Sequence, residues 1–201
     1  MRFMAMTGAA ALAMALAACS GGTGTTNDAA MNDTAFGNDM GLDNMVDGNM
    51  MAAGGTAIAA LKTADGKDAG SATVTEADGA LHVTLTATGL PAGTHAVHIH
   101  TTGKCDAPTF ETAGGHWNPT GAHHGINNAE SPRPHLGDLP NMDVGADGNG
   151  TLDFDVAGAT LAGLLDTDGA ALVVHADADD LKSDPSGNAG GRIACGVITA
   201  Q

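Results

Sequence analysis

The 201-residue chain has no tyrosine, a single tryptophan and four phenylalanines. With so little aromatic material, any core must be built mainly from Val, Leu, Ile and Ala. Basic residues are scarce too: seven Lys and Arg stand against 23 Asp and Glu, a formal net charge of −16. Such an acidic chain excludes nucleic acid as a partner. There is no Gly-rich phosphate loop opening a helix and no nucleophile elbow, so nucleotide-driven chemistry and α/β-hydrolase acyl transfer are excluded as well. Cysteine occurs only at Cys19, Cys105 and Cys195. No apolar run is long enough for a comfortable transmembrane helix.

The first residues read as an export signal. Arg2 supplies a short positive region, Phe3 to Leu16 an Ala/Met-rich apolar stretch, and Leu16-Ala17-Ala18-Cys19 small residues before a cysteine. That ending resembles a bacterial lipoprotein cleavage site, which implies a signal peptide over 1–18 and lipidation of Cys19. The expected location is the periplasmic side of the cell envelope, touching a membrane only through the lipid. Ser20 in place of Asp leans toward the outer membrane. Residues 19–55 form a spacer of Gly, Asn, Asp, Met, Ala and Thr; the stretch 20–55 has five Asp and neither Lys nor Arg. It has too little apolar surface to offset its ordering entropy and is expected to be disordered.

Residues 56–201 form one domain of ordinary size. Strand-like stretches alternate with turn signals: Thr56–Thr63, Ser71–Thr75, Leu81–Thr86, Ala96–His100, Met142–Val144, Leu152–Val156, Leu172–His175 and Ile193–Thr199. Ala77-Asp78-Gly79 and Ala146-Asp147-Gly148-Asn149-Gly150 read as turns between them. The fold class is all-β, an eight-stranded antiparallel Greek-key barrel or sandwich. Two long segments without strand character, 101–141 and 176–191, are expected to be functional loops.

Histidine supplies the chemistry. In His98-Ile99-His100 the two imidazoles share one strand face. His116, His124, His135 and His175 follow, with Asp138 three residues after His135. Neutral imidazoles fixed side by side suit copper or zinc. A single His-x-His pair carries little weight, whereas an ordered series with a carboxylate points to two metals.

The blocks around these residues carry a family resemblance. His98-Ile99-His100 is followed by Thr-Thr-Gly-Lys-Cys105 and by Ala-Gly-Gly-His116-Trp-Asn-Pro119. Then come His124-Gly125, Pro134-His135-Leu-Gly-Asp138-Leu-Pro140, Leu172-Val-Val-His175 and Gly191-Arg192-Ile-Ala-Cys195-Gly-Val-Ile198. Together, over roughly residues 56 to 200, they resemble a bacterial copper–zinc superoxide dismutase. The resemblance implies dismutation of superoxide to oxygen and hydrogen peroxide by Cu(II)/Cu(I) cycling at an imidazolate-bridged copper–zinc site.

The resemblance also implies the residues involved. Copper falls to His98, His100, His116 and His175; zinc falls to His116, His124, His135 and Asp138, with His116 shared and catalytic. Arg192 matches the family's active-site arginine, and Asp179 its carboxylate linking a copper ligand to a zinc ligand, here His98 and His124. Cys105 and Cys195 would form a disulfide. His82 reads as a surface strand residue, His95 as part of a turn, and His123 as the less favoured neighbour of His124. Loop 176–191 offers only Lys182 as a cation to steer superoxide, which leaves Lys104 and Arg133 as substitutes. The alternative function is a non-catalytic envelope protein that binds copper and zinc on the same fold.

Overall fold

The structure is a computed structural model that describes residues 54–132 and 134–201. The export signal, Cys19, nearly all of the spacer and Arg133 lie outside the described residues. Nine strands follow in order: β1 Thr56–Thr63, β2 Asp68–Ala77, β3 Ala80–Ala87, β4 Gly93–His95, β5 Val97–His100, β6 Met142–Val144, β7 Gly150–Ala157, β8 Ala170–His175 and β9 Arg192–Ala200. A 3₁₀ turn at Glu111–Ala113 and one α-turn, α1 at Leu161–Leu164, are the helical elements of the described residues. Among those residues no helix is long and apolar enough to cross a membrane.

Alternation builds the strands. In β1, Ala57, Ala59 and Leu61 point into the core, and in β3 Leu81, Val83 and Leu85 do the same. The β2–β3 hairpin closes through Asp78 and Gly79, at φ 52° and 78° between the paired residues Ala77 and Ala80. Two positive φ angles define the primed turn whose twist suits a two-residue hairpin, and Asp-Gly is a sequence that tolerates them.

All strand pairs are antiparallel, in the order β4-β6-β7-β3-β2-β1-β9-β8-β5. The two edges of this ladder, β4 and β5, are separated in sequence by Ala96 alone, so the sheet nearly closes into a barrel. The strand expected at Ala96–His100 is β5, which starts one residue later at Val97, and the short β4 at Gly93–His95 is a strand that was not expected. The Ala96 N–H donates to the Asp177 carbonyl at 2.9 Å and its carbonyl accepts from the His175 N–H at 2.9 Å. Those bonds tie Ala96 to the last loop and turn the chain from one sheet edge to the other. Nine segments replace the expected eight for this reason. β2, β7 and β8 also run further than Ser71–Thr75, Leu152–Val156 and Leu172–His175.

Val, Leu, Ile and Ala fill the barrel, joined by Met142 and Trp117. A second, smaller cluster lies outside it, where Phe110, Ala113 and Cys105 pack on Ala171, Val173 and Cys195. The Cys105–Cys195 disulfide joins them, with Cα atoms 5.7 Å apart and 90 residues of sequence separation. It fastens the start of loop 101–141 to β9.

Candidate metal centre

Strand β5 sends Val97 and Ile99 into the barrel core, so His98 and His100 project from its outer face. That face is buried because loop 101–141 returns along it. The Ile99 N–H donates to Gly137 O at 2.9 Å, and the Trp117 N–H donates to Ile99 O at 2.8 Å. These bonds set Asp138 opposite His98 and His116 opposite His100. On its other side β5 pairs with β8, which ends at His175, and His175 faces Arg192 of β9. Strands β5 and β8 and loop 101–141 thereby deliver their histidines to one place, with Arg192 of β9 beside them.

One ring nitrogen from each of His98, His100, His116 and His175 lies within 4.8 Å of the others, and all four residues are buried. Backbone carbonyls fix two of the tautomers. His100 Nδ1 donates to Gly114 O at 2.9 Å and His175 Nδ1 faces Gly190 O at 3.4 Å, leaving their Nε2 atoms 3.3 Å apart. Burial pushes the His100 imidazole down to about 2, with the Gly114 carbonyl opposing, and it pushes His175 down to about 3. Both rings are neutral at ordinary pH, with lone pairs turned toward each other.

The adjoining cluster is organised by one carboxylate. Asp138 Oδ1 lies 2.8 Å from His116 Nδ1, 3.0 Å from His124 Nδ1 and 3.1 Å from His135 Nδ1. Its Oδ2 accepts from the N–H groups of Gly125 and His135 at 2.9 and 3.1 Å. Burial alone would raise this carboxyl, but the three imidazoles and the Gly125 N–H hold it far below the usual range. Burial pushes His116 down to about 4 despite Asp138. For His124 burial also acts downward, yet the hydrogen bonds to Asp138 and Asp179 win and raise it to about 9.

By distance alone His98 also falls within 4.8 Å of the His116, His124 and Asp138 ligand atoms. However, the hydrogen bond of His98 goes to Asp179, whereas His116, His124 and His135 all turn Nδ1 onto Asp138 Oδ1. We therefore group His135, not His98, with this second set.

Asp179 links the two clusters. Its Oδ2 accepts from His98 Nε2 at 2.8 Å; its Oδ1 accepts from His124 Nε2 at 3.0 Å and from the Leu181 N–H at 2.6 Å. Burial opposes its ionisation, but His124 and His98 hold it well below the ordinary carboxylate range. Gly187 makes room for this link: at φ 65°, a Cβ there would lie 1.8 Å from Asp179 Oδ1.

Two buried ring atoms, His98 Nδ1 and His116 Nε2, have no hydrogen-bond partner among the described residues. Orphaned buried acceptors carry a desolvation cost of about 1–3 kcal/mol each unless something satisfies them. With the His100 and His175 Nε2 atoms they form a set of imidazole lone pairs that suits copper. Three imidazole Nδ1 atoms with one carboxylate oxygen suit a closed zinc site. The residues fit both ions.

Arg192 is half-buried beside these rings. Its Nη1 donates to Phe110 O and its Nη2 to Gly114 O, each at 2.6 Å. Burial lowers the guanidinium pKa while the nearby Glu111 opposes the shift. A pocket of about 380 Å³ opens here, lined by Pro108, Thr109, Glu111, Gly190, Gly191 and Arg192.

Sequence reasoning missed two supports. His95 lies in β4, buried, with Nδ1 2.8 Å from the His175 carbonyl and Nε2 2.9 Å from that of Pro91. Asn141 clasps the Asp179 backbone: its Nδ2 donates to Asp179 O at 2.9 Å, and its Oδ1 accepts from the Asp179 N–H at 2.8 Å. Neither follows a spacing rule, since each depends on carbonyls or amides brought from distant loops. His82 is on the surface, as expected, between Asp153 and Asp155. His123 points away from the cluster toward Asp184.

A family model described as copper/zinc superoxide dismutase matches residues 68–198. A Cu-Zn superoxide dismutase of Caulobacter vibrioides is 43% identical over 150 residues, which cover 71% of this chain and 85% of that protein. Among solved structures, a SOD-like protein from Bacillus subtilis is 37% identical with a TM-score of 0.66, covering 71% of this chain and 97% of the other. The Cu/Zn superoxide dismutase from Brucella abortus is 30% identical with a TM-score of 0.58, covering 72% and 99%.

Proposed function

Because the chain belongs to the copper/zinc superoxide dismutase family and is a superoxide dismutase using both metals, we propose how its residues divide the work. His98, His100, His116 and His175 would hold copper; His116, His124, His135 and Asp138 would hold zinc; His116 would serve both as an imidazolate. The single observation carrying this division is the pair of buried, unpartnered ring atoms His98 Nδ1 and His116 Nε2. When bound, copper supplies one-electron cycling between superoxide oxidation and superoxide reduction, while zinc is redox-silent and holds the loop.

The chain's own groups do the rest. Arg192 uses two N–H donors on Phe110 O and Gly114 O, and that anchorage aims its remaining donors at a small anion. His116 Nε2 is the atom assigned to take up a proton and pass it to the reduced dioxygen. Asp179 accepts from His98 Nε2 and His124 Nε2, which orients both rings with Nδ1 turned toward the two ligand sets.

A second reading, non-catalytic copper and zinc binding on this fold, draws on the Bacillus subtilis relative being described only as SOD-like. Superoxide decay, followed by pulse radiolysis on metal-loaded protein and on His98→Ala, separates the two. Rapid decay lost in the variant supports catalysis at this strand; no decay despite stoichiometric copper and zinc would leave metal binding alone. We also assign the protein to the periplasmic side of a bacterial envelope, lipid-anchored at Cys19. Labelling of cells with a fatty-acid probe should mark the wild type and not Cys19→Ala, and a labelled variant would refute the anchor.

A further inference from the structure

Loop 176–191 holds His124 by more than its ring. The His124 N–H donates to Asp184 Oδ1 at 2.7 Å, and its carbonyl accepts from Asn128 Nδ2 at 2.9 Å. The same Nδ2 donates to Asp184 Oδ2 at 3.0 Å, an oxygen that also lies 3.0 Å from His123 Nδ1. Asn128 is buried, and its Oδ1 accepts from the Glu130 N–H at 2.9 Å. Both main-chain polar groups of His124 are thus closed into one clasp, with Asp184 bonded to both of its members.

The neighbouring backbone is equally confined. Gly125 stands at φ 83°, and a Cβ there would lie 2.2 Å from the Leu181 carbonyl. The Asn127 N–H donates to Leu181 O at 2.9 Å. An imidazole swings about its own Cα, so a bond to the ring alone leaves the Nδ1 position dependent on the main chain. Asp179 fixes the ring at Nε2, and Asp184, five residues later in the same loop, fixes the main chain.

From this geometry we infer that Asp184 is a positioning residue of the zinc site: through the His124 amide and Asn128 it sets where His124 Nδ1 meets Asp138. The inference rests on the assignment of His124 to zinc. It separates two tasks within one loop, orientation of the ring and placement of the backbone. It also gives a role to an aspartate that the family's metal and bridging residues do not include.

The test is metal affinity of the full chain, measured by chelator competition with Zn(II) and Cu(II) titrated separately, and the absorption of Co(II) bound in place of zinc. Asp184→Ala should weaken Zn(II) binding about 10–100-fold, as loss of a group supporting a ligand does. It should alter the Co(II) bands and leave Cu(II) affinity within about threefold of wild type. Asp184→Asn keeps an oxygen for the His124 N–H but sets an NH2 group against Asn128 Nδ2, so it should recover part of the Zn(II) affinity. Unchanged Zn(II) binding in Asp184→Ala, parallel loss of both metals, or no recovery in Asp184→Asn would overturn the inference.

Should Asp184→Ala fail to fold, Asn128→Ala carries the same test: a zinc-selective loss supports the clasp and unchanged affinity overturns it. His135→Ala separates the premises. If it binds Zn(II) like the wild type, the zinc assignment itself is wrong; if it loses Zn(II) while Asp184→Ala does not, only the role of Asp184 fails.

Discussion

Removing the Asp179 carboxylate by substitution with alanine strips three donors of their acceptor at once. His98 Nε2, His124 Nε2 and the Leu181 N–H now meet it at 2.8, 3.0 and 2.6 Å, and the carboxylate is almost completely buried. Each hydrogen bond to a charged group contributes about 1.5–3 kcal/mol, and breaking a buried pair costs about 3–5 kcal/mol in total. In the metal-loaded protein the same loss frees one imidazole of each metal set to rotate or change tautomer. Loss of such a supporting group weakens metal binding about 10–100-fold, or about 1.4–2.7 kcal/mol. Both metals should be affected, because Asp179 touches one member of each set.

The assay is competition for Zn(II) and Cu(II) with a chromogenic chelator, run beside thermal unfolding of metal-free and metal-loaded protein. Metal-induced stabilisation follows RT ln(1 + [L]/Kd), so it should shrink as affinity falls. An Asp179→Ala protein that retains both metals with wild-type affinity would refute the bridging role.

Three further perturbations probe separate parts of the molecule. Arg192→Ala should slow superoxide capture at low ionic strength about tenfold or more, with Arg192→Lys in between, because lysine keeps the charge but not the fork held by Phe110 and Gly114; equal rates measured by stopped-flow would contradict this. Replacing Cys105 and Cys195 by alanine should cost about 2–5 kcal/mol in urea unfolding, and an unchanged midpoint would show that the second core stands without its disulfide. His82 titrates above its ordinary 6.5 because of its hydrogen bond to Asp155 and the charge of Asp153. A raised folded-state pKa stabilises fully below 6.5 and loses its effect as pH rises through the folded value. The stability gap between wild type and His82→Gln should therefore close from mild acid toward alkaline pH, and a gap that widens would reverse the assignment.

Much of the fold was legible because strands announce themselves by alternation. β1 begins and ends where its pattern does, and the Asp78-Gly79 turn sits where the sequence suggests. The short β4 at Gly93–His95 was not legible, since three residues carry no alternation and the turn at Ala96 depends on Asp177 and His175 capturing its peptide from loop and strand. For the site, period-two spacing explains why His98 and His100 share a face. That His116 and Asp138 join them came only from resemblance, and the return of loop 101–141 along β5 that brings them there was not legible.

His95, Asn128, Asn141 and Asp184 were invisible for a common reason. Each is a polar residue in no recurring pattern, and partners that fix it lie as far as 80 positions away. Asp179 stands between Asp177 and Asp180 in a row of similar side chains, and burial between two imidazoles distinguishes it.

The central claim is that two different metals share His116. Anomalous X-ray scattering at the copper and zinc edges, from crystals of protein loaded with both ions, tests it most directly. A copper peak is expected among His98, His100, His116 and His175, and a zinc peak among His116, His124, His135 and Asp138. A zinc peak supplied by His98 instead of His135, or a metal with no contact to His116, would contradict it.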